Sequence, residues 1–360
     1  MPSMQWLAKS EQFSRLAALL VCGTLFGAAP SYLFAQPLEQ NGSSLGGNEN
    51  PPLTLRSIIA LPGVYGRMDH YGWDSKRGVL LVTALGNNTV EIVDQWKRVH
   101  TIDGLEHPQA SIYLPSSDRI AVSNQSGKLR FYDAASYAPV KTLDFGMGAD
   151  VDNMRYDADS HLLFAGLGKG ALGELAVIDP IKMEPVYSFK LGSHPESFQL
   201  NRSGTRIYVN LPDQKALAVI DRKTGAMNKW NIAGDANSHT LALDEDGNRL
   251  FTAALQPGRF VAIDADTGRT VAELPCVLGV DDLWFDESRQ RIYATGAGAV
   301  DVFHRMSGDR YVNIARIAIG AGAGSTSLRV KTRTQDSLYV SWPNTLPQGG
   351  SQVVLYYVND

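Results

Sequence analysis

A repeat constrains this chain more than any other feature. Six segments end in closely related runs: Val90-Glu-Ile-Val-Asp94, Leu129-Arg-Phe-Tyr-Asp133, Leu175-Ala-Val-Ile-Asp179, Leu217-Ala-Val-Ile-Asp221, Phe260-Val-Ala-Ile-Asp264 and Val300-Asp-Val-Phe-His304. Their last residues are spaced by 39, 46, 42, 43 and 40 residues. A seventh, Val353-Val-Leu-Tyr-Tyr-Val358, lacks the Asp. A second, equally regular set precedes them, including Gly78-Val-Leu-Leu-Val-Thr83, Arg119-Ile-Ala-Val-Ser123, Arg206-Ile-Tyr-Val-Asn210, Arg249-Leu-Phe-Thr-Ala253 and Arg291-Ile-Tyr-Ala-Thr295. These runs are rich in β-branched and aromatic residues, and turns such as Ser203-Gly204 and Asp246-Gly247 often precede them. A period near forty-odd residues with four strands per unit specifies an all-β, seven-bladed β-propeller of four-stranded blades.

The ends of the chain predict how the ring closes. No room for a fourth strand remains after Val358, whereas Leu53–Leu61 reads as an orphan fourth strand. We expect it to complete the last blade and so hide the sheet edges that an open stack would expose. The expected organisation is an export signal at 1–35, a flexible linker at 36–52 and the propeller at 53–360.

The signal is read from a polar start carrying Lys9 and Arg15, an apolar run from Leu16 to Ala29 and a cut after Ala35. A lipoprotein signal at Cys22, preceded by Val21, and an uncleaved anchor are the alternatives. No later segment is long and apolar enough to span a membrane, so the mature chain is expected to be periplasmic or secreted and monomeric. Cys276 is then the one remaining thiol and reads as a small buried hydrophobe. With 33 Lys+Arg against 37 Asp+Glu and no long basic tract, a duplex nucleic-acid surface is not expected.

The Val-Ile-Asp endings, the Leu85–Asp94 segment and His194-Pro-Glu-Ser-Phe198 resemble the YncE-like, YVTN-repeat propeller family over residues 53–360. That resemblance implies the fold. It also implies a range of uses: binding surfaces, electron-transfer subunits, single-stranded nucleic-acid binding and occasional enzymes.

Aligning the first strand of each unit on its far end gives a polar column: Asp69, Ala110, Asp152, Glu196, His239, Asp281 and Thr326. The next column is His70, Ser111, Asn153, Ser197, Thr240, Asp282 and Ser327, and the one after is mostly apolar. In a propeller these strand ends converge on one mouth of the central channel. Asp69, Asp152, Glu196 and Asp281 are the candidate metal ligands. Carboxylates that close repel unless a cation or shared proton offsets them, and oxygen ligands imply Ca²⁺. His70, His107, Asn153, His194, His239 and Asp282 are the candidate ligand-binding residues. His70, His194 and His239 are the candidates for general acid or base.

Two readings follow. The first is an exported, non-catalytic propeller that binds a small molecule or a partner's peptide segment at its polar mouth. The second is a Ca²⁺-assisted hydrolase or lyase resembling propeller lactonases and streptogramin lyases, none of whose motifs is intact here. The Asp ending each third strand is expected to cap a turn, and Gly166-Leu-Gly-Lys-Gly170 to form a hairpin turn and not a phosphate loop.

Overall fold

The structure is a computed structural model that describes residues 50–168, 170–232, 237–320, 322–346 and 348–360. The expected export signal and all but the last residues of the linker lie outside the described residues.

The described chain forms five four-stranded sheets and one eight-stranded sheet. The larger sheet is two four-stranded meanders joined by a single parallel bridge, His70 to Ala110, between their innermost strands. The result is seven blades. Blades 1 to 6 run from Asp69 to Ile102, Pro108 to Asp144, Met154 to Lys190, Phe198 to Asn231, Ala242 to Pro275 and Asp282 to Ala318. Blade 7 takes three strands from Ser327–Val358 and its fourth from Leu53–Pro62. That strand runs antiparallel to the last one, from Leu53 opposite Val358 to Pro62 opposite Gly350, with a bulge between Leu55 and Ser57. The closure expected from the sequence is therefore present.

The hydrophobic pattern explains the stacking. In the middle strands of a blade both faces are buried, as in Val79–Ala84 and Thr89–Val93, because each blade is packed between two others. Outer strands such as Glu184–Lys190 are largely exposed. The apolar side chains collect into seven clusters, one between each pair of adjacent blades, including one between blades 7 and 1. Between blades 5 and 6, Phe260 stacks on Phe303 with ring centroids 4.5 Å apart. Trp73, Trp230 and Trp284 pack against such clusters and act as blade-packing residues.

Asp side chains do two structural jobs. Those ending the third strands hold tight turns: Asp94 accepts the backbone N–H groups of Trp96 and Lys97, and Asp221 those of Lys223 and Thr224. Those at the far ends of the inner strands tie neighbouring blades together. Arg77 reaches Asp74 at 2.8 Å and Asp118 of the next blade at 2.8 Å. Arg222 reaches back to Asp157 at 2.7 Å, Arg305 pairs with Asp244, and Arg289 and Arg329 both hold Asp286. Despite burial, Ser160 and Arg222 keep Asp157 below the usual carboxylate range, and Ser288 and Arg289 do the same for Asp286.

Cys276 is buried, and burial together with the nearby Asp301 pushes its thiol up to about 12, leaving it unreactive.

Candidate functional site

The entering ends of the inner strands surround a cavity of about 370 Å³. From the first polar column, Asp152, Glu196, His239 and Asp281 line it, and His70 joins them from the second. His194 lines it from the connection before blade 4. The short, extended entry into each blade places these residues. Residues two apart point to the same side, so His194 and Glu196 face the cavity together.

The second column mostly serves the scaffold. Ser111 bonds to Thr83 at 2.9 Å and to the Leu81 carbonyl at 3.2 Å, both in the preceding blade. The Ser197 hydroxyl accepts from Arg155 at 3.2 Å, and the Ser327 hydroxyl accepts from Thr295 and Trp284.

Four sequence candidates sit elsewhere. Asp69 is buried beneath Arg67, 3.1 Å away, and does not line the cavity. Asp282 is held between blades by the Ser327 backbone N–H at 2.8 Å and by the His70 ring at 3.2 Å. Asn153 is buried below the mouth and does not line it. His107 is exposed in a left-handed conformation (φ 51°), with its N–H bonded to Asn88. Gln109, two residues on, lines the cavity instead.

Nor do the four proposed oxygen ligands form one cage. Asp281 faces Arg67 at 3.7 Å and accepts from Ser325, and its carboxylate is not among the donors that converge with Asp152 and Glu196. The groups whose donor atoms do converge are Asp152, His194 and Glu196, all within 4.8 Å of one another. His194 Nε2 lies 3.8 Å from both Asp152 Oδ2 and Glu196 Oε1, and His239 Nδ1 lies 3.5 Å from Glu196 Oε1.

Two glycines of the 166–173 hairpin position His194. The Gly168 carbonyl accepts from His194 Nδ1 at 2.5 Å, which fixes the ring and aims Nε2 at the carboxylates. A Cβ on Gly173 would lie 1.6 Å from the Ser193 carbonyl oxygen and 2.7 Å from the His194 nitrogen. Only glycine lets the hairpin press on the segment that carries His194. Antiparallel pairing of Leu162–Leu167 with Glu174–Asp179 makes this connection a hairpin with a short 3₁₀ turn at Gly170–Leu172, and Lys169 lies outside the described residues.

The electrostatics reflect crowded, desolvated acids. Burial, and then the facing Asp152, push Glu196 up to about 8. Burial likewise takes Asp69 up to about 7, against the pull of His70 and Arg67. Burial opposes charge on His194, but Asp152, the Gly168 carbonyl and Glu196 outweigh it and raise the ring to about 9. Asp152 is held below its usual range because His194 and His70 overcome its burial. His70 is raised well above its ordinary value, its burial outweighed by Asp282 and Asp69. Clamped between those two acids, it works as an ion-pair partner and not as a free base. His239 is lowered by burial and so is neutral at neutral pH, with a lone pair for a proton or a ligand.

The cavity also includes residues that the strand alignment missed: Arg67, Gln109, Asp150 and Asp213. Gln109 donates to Asp150 at 2.9 Å. Arg67 and Asp150 sit two residues before Asp69 and Asp152, as His194 does before Glu196. Extending the alignment outward by one same-face step would have found them. Asp213 comes from the Pro212–Gln214 turn, outside any inner strand.

No family model matches the sequence, and no curated protein matches it. Among solved structures, a chain of the "Crystal Structure of Mitotic Checkpoint Complex" superposes with a TM-score of 0.69 at 14% identity. The match covers 96% of this chain and 100% of that one. At that identity the likeness shows the fold alone. Fold and comparison together define a β-propeller of four-stranded blades. No helix among the described residues is long and apolar enough to cross a membrane.

Proposed function

We propose that this is an exported, YncE-like binding propeller that holds a small, positively charged ligand, or a basic segment of a partner, in the mouth of its channel. The observation that carries this reading is the composition of the cavity wall. Asp150, Asp152, Asp213 and Asp281, with Glu196 as a further acid, share the wall with Arg67, its one permanent cation among the described residues. Such a wall favours a cationic occupant and disfavours a nucleic-acid backbone. Export is supported by the order of charged, apolar and small residues at the N-terminus.

The test is calorimetric titration of the chelator-treated protein with arginine, spermidine and a Lys-containing tripeptide. Saturable binding of at least one of them, weakened about tenfold or more by Asp281→Asn, is expected. If none binds, the reading fails.

A second reading, a metal-assisted hydrolase or lyase acting on a lactone-like ring, is favoured by the neutral His239 beside the Asp152–His194–Glu196 cluster. Turnover of simple lactones that is lost on chelation and in His239→Gln would support it, and no turnover with any divalent ion would overturn it.

A further inference from the structure

The convergence of Asp152, His194 and Glu196 goes further than a polar wall requires. Their donor atoms come from two adjacent blades and meet within 4.8 Å. In the coordination shell of a small divalent ion with bonds of about 2.0–2.2 Å, ligand atoms stand roughly 3–3.5 Å apart. The two His194–carboxylate separations of 3.8 Å close to that range with side-chain shifts of a few tenths of an ångström, and Asp152 and Glu196 lie within 4.8 Å of each other. The arrangement is also oriented. His194 gives its Nδ1 hydrogen to the Gly168 carbonyl, the backbone support that metal-binding imidazoles use, so that Nε2 points at both carboxylates. The hairpin that supplies that carbonyl can approach only because residue 173 is glycine. His239 brings a second imidazole to 3.5 Å from Glu196. Asp69 and Asp281, the other acids of the column, are paired with Arg67 and take no part.

Donor chemistry then selects the ion. Ca²⁺ takes six to eight oxygen ligands, whereas imidazole nitrogen combined with carboxylate suits Zn²⁺ and the neighbouring first-row divalent ions. We propose that the channel mouth binds one first-row divalent transition-metal ion through Asp152, His194 and Glu196, with His239 as a fourth ligand. This replaces the Ca²⁺ implied by counting carboxylates, and it rests on the reading of the mouth as a binding site.

The test uses the full chain carrying no polyhistidine tag, stripped with chelator and titrated with Co²⁺ as a coloured stand-in, then with Zn²⁺ in competition. One equivalent of Co²⁺ should bind, with a visible spectrum characteristic of mixed nitrogen and oxygen ligands, and Zn²⁺ should displace it. His194→Ala and Glu196→Gln should each weaken binding about tenfold or more, whereas His161→Ala, at an exposed histidine outside the cavity, should leave it unchanged. Circular dichroism checks that each variant is folded. Should His194→Ala not fold, Glu196→Gln and His239→Ala carry the comparison. The proposal is overturned if the wild type has no saturable one-equivalent site, if a folded Glu196→Gln binds Co²⁺ as well as the wild type, or if Ca²⁺ displaces Co²⁺ at equal concentration. Arginine or spermidine binding that persists while all metal binding is absent overturns the metal site alone and leaves the binding mouth standing.

Discussion

The two ends of the inner strands carry acids in nearly equal supply, and the molecule treats them in opposite ways. At the lower end Asp74, Asp157, Asp244 and Asp286 are each met by an arginine, and three of those arginines come from a neighbouring blade. At the upper end Asp152 and Glu196 meet one another and a histidine; His194 and His70 hold Asp152 low, and the uncompensated burial falls on Glu196. The lower-end acids are each supplied with a permanent cation, and Asp157 and Asp286 hold their protons less tightly than usual. An acid that the fold leaves crowded holds its proton more tightly, and that excess is what a ligand can relieve. The contrast separates residue rings generated by the repeat from a ring that can bind.

The largest expected effect tests the lower end. Asp244→Ala removes a buried carboxylate and leaves the half-buried Arg305 without it, which should cost about 3 kcal/mol in urea unfolding, whereas Glu196→Gln at the upper end should be neutral or mildly stabilising. Equal losses in the two would erase the distinction. Next, Gly173→Ala forces a methyl into the Ser193 carbonyl and should cost about 2–3 kcal/mol while abolishing the Co²⁺ spectrum.

The pH dependence should also divide the two ends. Asp69 is raised from 3.8 to about 7, so its contribution is fully present below its unfolded value and is lost as pH rises through about 7. Asp157 and Asp286 are lowered, so theirs is present above 3.8 and lost only as pH falls below it. Between about pH 5 and about pH 8 the lower end is therefore flat and the upper end declines. Asp69→Asn should remove part of that decline, on the order of 1 kcal/mol, in thermal melts across the range. The smallest effect belongs to the turns: Asp94→Ala gives up two exposed backbone hydrogen bonds and should cost about 1 kcal/mol or less.

The fold was legible because its signals are local and repeated. Val-Ile-Asp endings mark third strands wherever they occur, and the unpaired Leu53–Leu61 run had only one place to go. The polar column was legible for the same reason, as a fixed offset along extended chain. Which of its members face the cavity was not, because that depends on non-local pairing. Asp69 is hidden by Arg67, and Asp282 by the backbone of Ser327 in the following blade. His107 shared a His-Pro step with His194, but its left-handed backbone turns it outward. The metal-ligand geometry was least legible. It depends on a glycine in one hairpin yielding space to a loop of the next blade, a contact with no signature in either segment alone.

The closing strand has a consequence for how the mouth comes into being. Arg56 and Tyr357 touch across the seam at 3.1 Å although 301 residues separate them in the chain. Contacts of such sequence separation are the slowest to form, and in a chain that emerges from its N-terminus the first strand must wait for the last. Asp152, His194 and Glu196 belong to blades 3 and 4, adjacent in sequence, and can meet early in folding. Arg67, His70 and Asp281 reach the same cavity only when the circle is complete. A metal ion could therefore be captured while the protein is still an open arc, whereas a ligand that needs the whole wall must wait for the seam to lock and, once bound, would help to keep it locked.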